Sequence, residues 1–159
     1  MVIKVAVLTI SDSCAKGKQV DISGQTIEEM LPEDRFEVCE KMILPDDYPA
    51  IAKALARLSD EKYIDIVLTT GGTGLGPRDV TPEATASVCE RMVPGLGEIF
   101  RSEGFKVAPN AVLSRGVAGM RNTTLIINLP GSPKAVRECL EIILDVLPHA
   151  VDMMRGGGH

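Results

Sequence analysis

The chain has 159 residues, 45% hydrophobic and 25% charged, and its 22 acidic against 17 basic side chains give a formal net charge of −5. This is the make-up of a folded soluble chain, and at this length one domain burying roughly 70% of its unfolded surface is expected. Three Phe, two Tyr, no Trp and no basic excess exclude the cationic, aromatic-bearing face on which nucleic acids stack.

Val2 to Thr9 is a continuous apolar run rich in β-branched residues, the pattern of a strand covered on both faces. Ser23 is placed to N-cap a helix running to about Leu31, which Pro32 ends. Phe36 to Leu44 alternates loosely and predicts a second strand; Ala50 to Leu58 has Ile51, Leu55 and Leu58 at helical spacing. Ile64 to Thr69 predicts a third strand, which runs straight into a glycine-rich segment. Thr81-Pro82-Glu83 reads as a helix start, with Thr81 as N-cap, Pro82 at the first helical position and an acid in the first turn. Another helix is expected from about Leu96 to Glu103. Val117 to Met120 and Thr124 to Leu129 flank Arg121-Asn122-Thr123 as a hairpin, so one strand should run antiparallel. After Pro133, the stripe Val136, Leu140, Ile143, Leu147, Val151, Met154 keeps helical spacing for five turns. Pro148 should kink or end a turn there, since it cannot donate to the carbonyl of Leu144.

Strands alternating with helices predict a three-layer αβα sandwich with a mostly parallel sheet. Residues 1–155 form one domain in this reading, and 156–159, with three glycines, a flexible tail. In such sheets ligands bind beyond the carboxyl ends of the strands. Four polar segments fall there: Ser11-Asp12-Ser13, Pro45-Asp46-Asp47, Gly71 to Asp79, and Asn128-Leu129-Pro130-Gly131-Ser132.

The third is the least ordinary stretch of the chain. Gly71, Gly72, Gly74 and Gly76 let backbone N–H groups converge on an oxyanion such as phosphate. Thr70 and Thr73 would add hydroxyl donors and Arg78 a guanidinium. No Gly-Lys-Ser/Thr follows, so it is not a Walker loop, and it lacks the dinucleotide spacing. A plain glycine-rich turn is the competing reading. Asp79 beside a phosphate nest would repel the ligand unless a divalent cation lay between them, as Mg²⁺ does with one or two carboxylates; otherwise it is a turn residue near a helix start. For Asp46 and Asp47, which follow a proline, capping the next helix is the stronger reading. Ser114-Arg115 and the Asn128 to Gly131 loop are weaker candidates for contact with an anionic or planar ligand.

Cys14, Cys39, Cys89 and Cys139 form no C-x-x-C pair, which leaves no zinc knuckle or dithiol motif and suits reduced thiols in a cytoplasmic protein. His149 and His159 are the sole histidines, too few for a Ser-His-Asp triad or a histidine metal site. The apolar N-terminus is too short to span a membrane and lacks a cleavage signal.

Taken together, Thr69-Thr70-Gly71-Gly72-Thr73-Gly74, Pro77-Arg78-Asp79-Val80-Thr81-Pro82-Glu83-Ala84-Thr85 and Leu125-Ile126-Ile127-Asn128-Leu129-Pro130-Gly131 resemble the molybdopterin adenylyltransferase family, which includes the G domain of gephyrin. The resemblance runs from Leu8-Thr9-Ile10-Ser11-Asp12 to Leu147-Pro148-His149-Ala150. It implies adenylyl transfer from Mg-ATP to molybdopterin with release of pyrophosphate, a homotrimer, and a molybdate-inserting partner protein. It also implies that Asp46 and Asp79 are the catalytic, Mg²⁺-holding pair, with Asp47 an open alternative to Asp46, and that Ser114 is associated with the pterin. Ser11, Asp12, Thr70, Gly71, Gly72, Thr73, Gly74, Arg78, Arg115, Asn128, Leu129, Pro130 and Gly131 would line the nucleotide and pterin pockets. A pterin carrier without catalysis and a nucleotide pyrophosphatase on the same fold are the alternatives.

Overall fold

The computed structural model describes residues 1–157, so the last part of the expected tail, 158–159, lies outside the described residues. In chain order the elements are β1 (Ile3–Ile10), α1 (Asp12–Ala15), α2 (Ile22–Met30), β2 (Phe36–Leu44), α3 (Tyr48–Asp60) and β3 (Ile66–Thr70). They continue with α4 (Thr81–Val88), β4 (Arg91–Met92), α5 (Pro94–Val107), a 3₁₀ turn (Pro109–Leu113), β5 (Ala118–Arg121), β6 (Thr124–Leu129), α6 (Pro133–Ile143) and α7 (Leu147–Met154).

The six strands lie in the order β2-β1-β3-β6-β5-β4. β2, β1, β3 and β6 are parallel, β5 runs against β6, and β4 pairs antiparallel with β5. Only β5 opposes the rest, as the hairpin pattern predicts. Because side chains alternate along a strand, each apolar run feeds two cores. Val5, Val7, Ile66, Leu68, Leu125 and Ile127 pack with α2, α6 and α7 on one face. Ala6, Leu8, Ile10, Val67 and Ile126 pack with α3 and α4 on the other. Each fully buried aliphatic side chain contributes about 1.5–3 kcal/mol, so unbroken apolar strands are what a three-layer sheet requires.

Several boundaries differ from the sequence reading, each for a local reason. Asp21, not Ser23, caps α2: its Oδ1 accepts from the Gly24 N–H at 2.8 Å, while the Ser23 hydroxyl donates to the Gly131 carbonyl at 2.6 Å. Val80 occupies the N-cap position of α4, and the Thr81 hydroxyl donates instead to the Gly71 carbonyl at 3.0 Å. The long C-terminal stripe belongs to two helices broken at 144–146, with Pro148 in the first turn of α7 where a missing N–H costs little. The stripe still points one way, since Val136, Leu140, Ile143, Leu147 and Val151 are all buried. β4 has no sequence signature because its two residues are exposed and show no alternation. Gly156 and Gly157, within the expected tail, donate to Met153 and Asp152 carbonyls at 3.0 and 2.8 Å. No helix among the described residues is long and apolar enough to cross a membrane.

Candidate functional site

The carboxyl ends of β1, β2, β3 and β6 deliver the four loops to one edge of the sheet, and hydrogen bonds stitch them together. The Ser11 N–H donates to Leu44 O at 2.9 Å, joining the first two loops. Asp12 and Asp46 then exchange bonds: Asp12 N–H to Asp46 Oδ2 at 3.1 Å and Asp46 N–H to Asp12 Oδ1 at 3.0 Å. The Thr70 hydroxyl donates to Pro130 O at 2.6 Å and the Gly71 N–H to Leu129 O at 3.3 Å, tying the third loop to the fourth.

The glycines are required by this crowding. Gly71 and Gly72 have φ of +100° and +69°, and a Cβ on Gly71 would stand 2.2 Å from the Ile10 carbonyl oxygen. A Cβ on Gly72 would lie 2.2 Å from the Thr81 hydroxyl and 3.1 Å from Asp46 Oδ1. Cβ atoms on Gly74 and Gly76 would lie 2.9 and 2.8 Å from Asp79 Oδ2. The two carboxylates therefore sit over the same loop, Asp46 at its start and Asp79 at its end.

Their electrostatics agree. Asp46 is pushed above the usual carboxylate range by burial first, and then by the negative charges of Asp12 and Asp79. Asp12 is held down at about 2 by the Arg78 guanidinium, which binds it in a two-pronged pair at 2.6 and 3.0 Å. Arg78 also donates to the Asp46 carbonyl at 3.1 Å. Asp47 is the helix cap that the proline context suggested, accepting from the Ala50 N–H at 3.0 Å. Of the two adjacent acids, Asp46 is thus the one that faces the loop.

Two clefts flank this ridge. One, of about 260 Å³, is lined by Ser11, Asp21, Ser23, Thr70 and Gly71 among others. The other, of about 580 Å³, is lined by Gly72, Thr73, Asp79, Asn110 and Ser114. Gly131 borders both, and a Cβ there would lie 3.5 Å from the Gly71 Cα. A third cavity of about 330 Å³ between α5 and α6 shares Ser114 and Pro130 with the larger cleft, and of the two aspartates only Asp79 lines any of these three, in the larger cleft.

Not every expected residue turns a free side chain to a ligand. The Asn128 amide is buried, donating to the Thr69 and Thr85 hydroxyls at 3.0 and 2.9 Å and accepting from the Val117 N–H at 3.2 Å. Leu129 is core. The hydroxyl hydrogen of Thr70 is spent on Pro130 O, and the Ser11 hydroxyl caps α1 by accepting from the Cys14 N–H at 3.2 Å. Arg78 is committed to Asp12, and Arg115 reaches back to the glycine loop rather than outward. The sequence reading missed Asp21 and Asn110 as lining residues and Thr81 as the brace of Gly71. Asp21 carried a signal, an acid just before a helix, whereas the ten-residue Thr81–Gly71 link carried none.

Among the described residues no group of three or more His, Cys, Asp or Glu side chains converges as a metal site. The chemistry of the two carboxylates over the glycine loop still fits Mg²⁺. Each has one oxygen occupied, Asp46 Oδ2 by the Asp12 N–H and Asp79 Oδ2 by the Gly76 N–H at 2.9 Å. Mg²⁺ takes one or two carboxylates, substrate phosphates and retained waters, not a full protein cage, and a cation would relieve the like-charge crowding at Asp46.

Residues 6–149 match the family model described as "Probable molybdopterin binding domain". The chain is 47% identical over 156 residues to a molybdopterin adenylyltransferase of Helicobacter pylori, covering 97% of this chain and 89% of that one. It is 40% identical over 146 residues to the enzyme of that name from Escherichia coli, covering 90% and 74%. Among solved structures, the molybdopterin biosynthesis enzyme MoaB from Thermus thermophilus superposes with a TM-score of 0.92 at 48% identity, covering 98% of both chains.

Proposed function

This chain belongs to the molybdopterin adenylyltransferase family, and from that membership we propose that it transfers AMP from Mg-ATP to molybdopterin in molybdenum cofactor biosynthesis. The observation that carries the reading is the pair of carboxylates from separate turns, Asp46 and Asp79, over one glycine loop between two clefts that share Gly131.

In this reading each cleft takes one of the two anionic substrates, and the Gly71–Gly72 ridge is where their phosphates meet. A phosphate oxygen of molybdopterin attacks the α-phosphorus of ATP, the bond from that phosphorus to the β-bridging oxygen breaks, and pyrophosphate leaves with the electron pair. No protein nucleophile is called for. The chain's task is to orient two anions and to meet developing charge with fixed N–H groups of the Gly72–Gly74 loop, since the Gly71 N–H is held by the Leu129 carbonyl. Asp46 and Asp79 would hold Mg²⁺, which when bound screens the repulsion between the phosphates. The short bonds among Ser11, Asp12, Asp46 and Arg78 keep the first two loops in place before substrate arrives, so little ordering is left to be done on binding.

We further read the exposed apolar side chains Ile99, Phe105 and Val107 of α5 with Val112 and Leu113 of the 3₁₀ turn as the surface of a homotrimer. A sedimentation mass of a single chain would refute that assembly.

The decisive assay supplies ATP, Mg²⁺ and molybdopterin and follows both pyrophosphate and adenylyl-molybdopterin. Equimolar appearance of the two is expected, with Asp79→Asn slower by at least ~100-fold, the order found when a key electrostatic group is lost. Pyrophosphate or AMP release without pterin would favour a nucleotide pyrophosphatase, and pterin binding without turnover a carrier.

A further inference from the structure

Arg115 follows Ser114 at the wall of the larger cleft, and its half-buried guanidinium reaches into the glycine loop. Nε donates to the Gly74 carbonyl at 2.8 Å, Nη2 donates to the Asp79 carbonyl at 2.7 Å, and Nη1 pairs with the Glu83 carboxylate in the first turn of α4. Its own backbone N–H donates to the Thr73 carbonyl at 2.8 Å. One residue, through its side chain and backbone together, thus spans the segment from Thr73 to Glu83 and joins it to the Ser114 wall.

That segment needs such a brace. It holds Gly74, Gly76 and Pro77 between β3 and α4, where glycine raises the entropy cost of holding any one conformation. Inside the loop the two short-range bonds both link Gly76 and Asp79: Gly76 N–H to Asp79 Oδ2 at 2.9 Å, and Asp79 N–H to Gly76 O at 3.1 Å. The guanidinium supplies N–H donors in a planar fork, which a lysine ammonium does not reproduce. All three of its nitrogens are engaged by this chain's own acceptors, so gripping a phosphate would require breaking the brace.

We propose that Arg115 is a positioning residue of the transferase site: it fixes the Thr73–Asp79 loop, and with it the Asp79 carboxylate, and does not itself bind substrate phosphate. The kinetic part of this rests on the function proposed above; the structural part does not.

The test compares Arg115→Ala, Arg115→Lys and, as a matched control, Arg121→Ala. Arg121 braces the opposite end of the sheet, donating to Val88 O at 3.0 Å and pairing with Asp60 at 2.7 Å. Amide hydrogen exchange on the ligand-free full chain should show Gly76 and Asp79 exchanging ~10-fold or more faster in Arg115→Ala than in the control, the signature of local opening. In the transferase assay kcat should fall by ~30–100-fold, the order for a misplaced catalytic group, with the KM for ATP within about threefold of the parent. Arg115→Lys should recover little of the loss, because charge without the fork cannot span Gly74, Asp79 and Glu83. Loop exchange no faster than in Arg121→Ala, recovery of parental turnover by the lysine variant, or a loss carried by KM would each overturn the proposal. A parent chain without transferase activity would sink the proposed function, yet the exchange comparison would still decide the role of Arg115.

Discussion

Asn128→Ala separates a structural amide from a substrate contact at an expected binding residue whose polar side chain is buried and fully hydrogen-bonded within the chain. That side chain makes three hydrogen bonds at 2.9–3.2 Å, reaching β3 through Thr69, α4 through Thr85 and the segment before β5 through the Val117 N–H. At about 0.5–1.5 kcal/mol net for each bond, the truncation costs about 3 kcal/mol. The Val117 N–H weighs most, because a backbone donor cannot rotate to a new partner as the two hydroxyls can. For a chain of this size about 2–4 °C of Tm accompanies each kcal/mol, so Tm should fall by about 6–12 °C. Thermal unfolding followed by circular dichroism reads it, with variant and parent compared at one fixed protein concentration. A drop under about 2 °C together with a large rise in the KM for nucleotide would refute the assignment and turn the amide toward a ligand.

Two further outcomes follow from the charge network. Asp46→Asn should lose at least ~100-fold in turnover while melting at a higher temperature than the parent at pH 7. The Asp46 carboxyl lies above its ordinary 3.8, through burial and then the charges of Asp12 and Asp79. The folded chain therefore holds that proton longer, and the stabilisation present below 3.8 is lost as pH rises. Equal melting temperatures for variant and parent at pH 7 would show the half-buried carboxylate to be cost-free. Asp12 has the opposite sign: lowered from 3.8 to about 2 by Arg78, it contributes stability above about pH 4 that disappears as pH falls toward 2. Urea midpoints should therefore drop more steeply across that window in the parent than in Asp12→Asn, and parallel acid limbs would remove Asp12 from the network's account.

What the amino-acid order decided by itself is whatever depends on neighbours in the chain. Runs rich in β-branched residues at Ile3–Ile10 and Ile66–Thr70 sufficed for strands covered on both faces, apart from the exposed Lys4, and the Asn122 turn for the reversed β5. The glycine cluster and the acids after β2 and β3 marked the sheet edge where the loops gather, because in parallel sheets every such loop emerges on one side. Partner choice within that edge was out of reach. Arg78 and Arg115 were both candidate contacts for an anion in sequence, the second the weaker, yet one is neutralised by Asp12, 66 residues away, and the other braces carbonyls 41 and 36 residues away. Asp46 and Asp47 are adjacent and chemically identical, and only the fold gives the first to the glycine loop and the second to the cap of α3. Local pattern sets which groups arrive, because periodicity and turn chemistry act over a few residues. Which groups remain free for a ligand is set by whom they meet after arrival, and that is a property of packing alone.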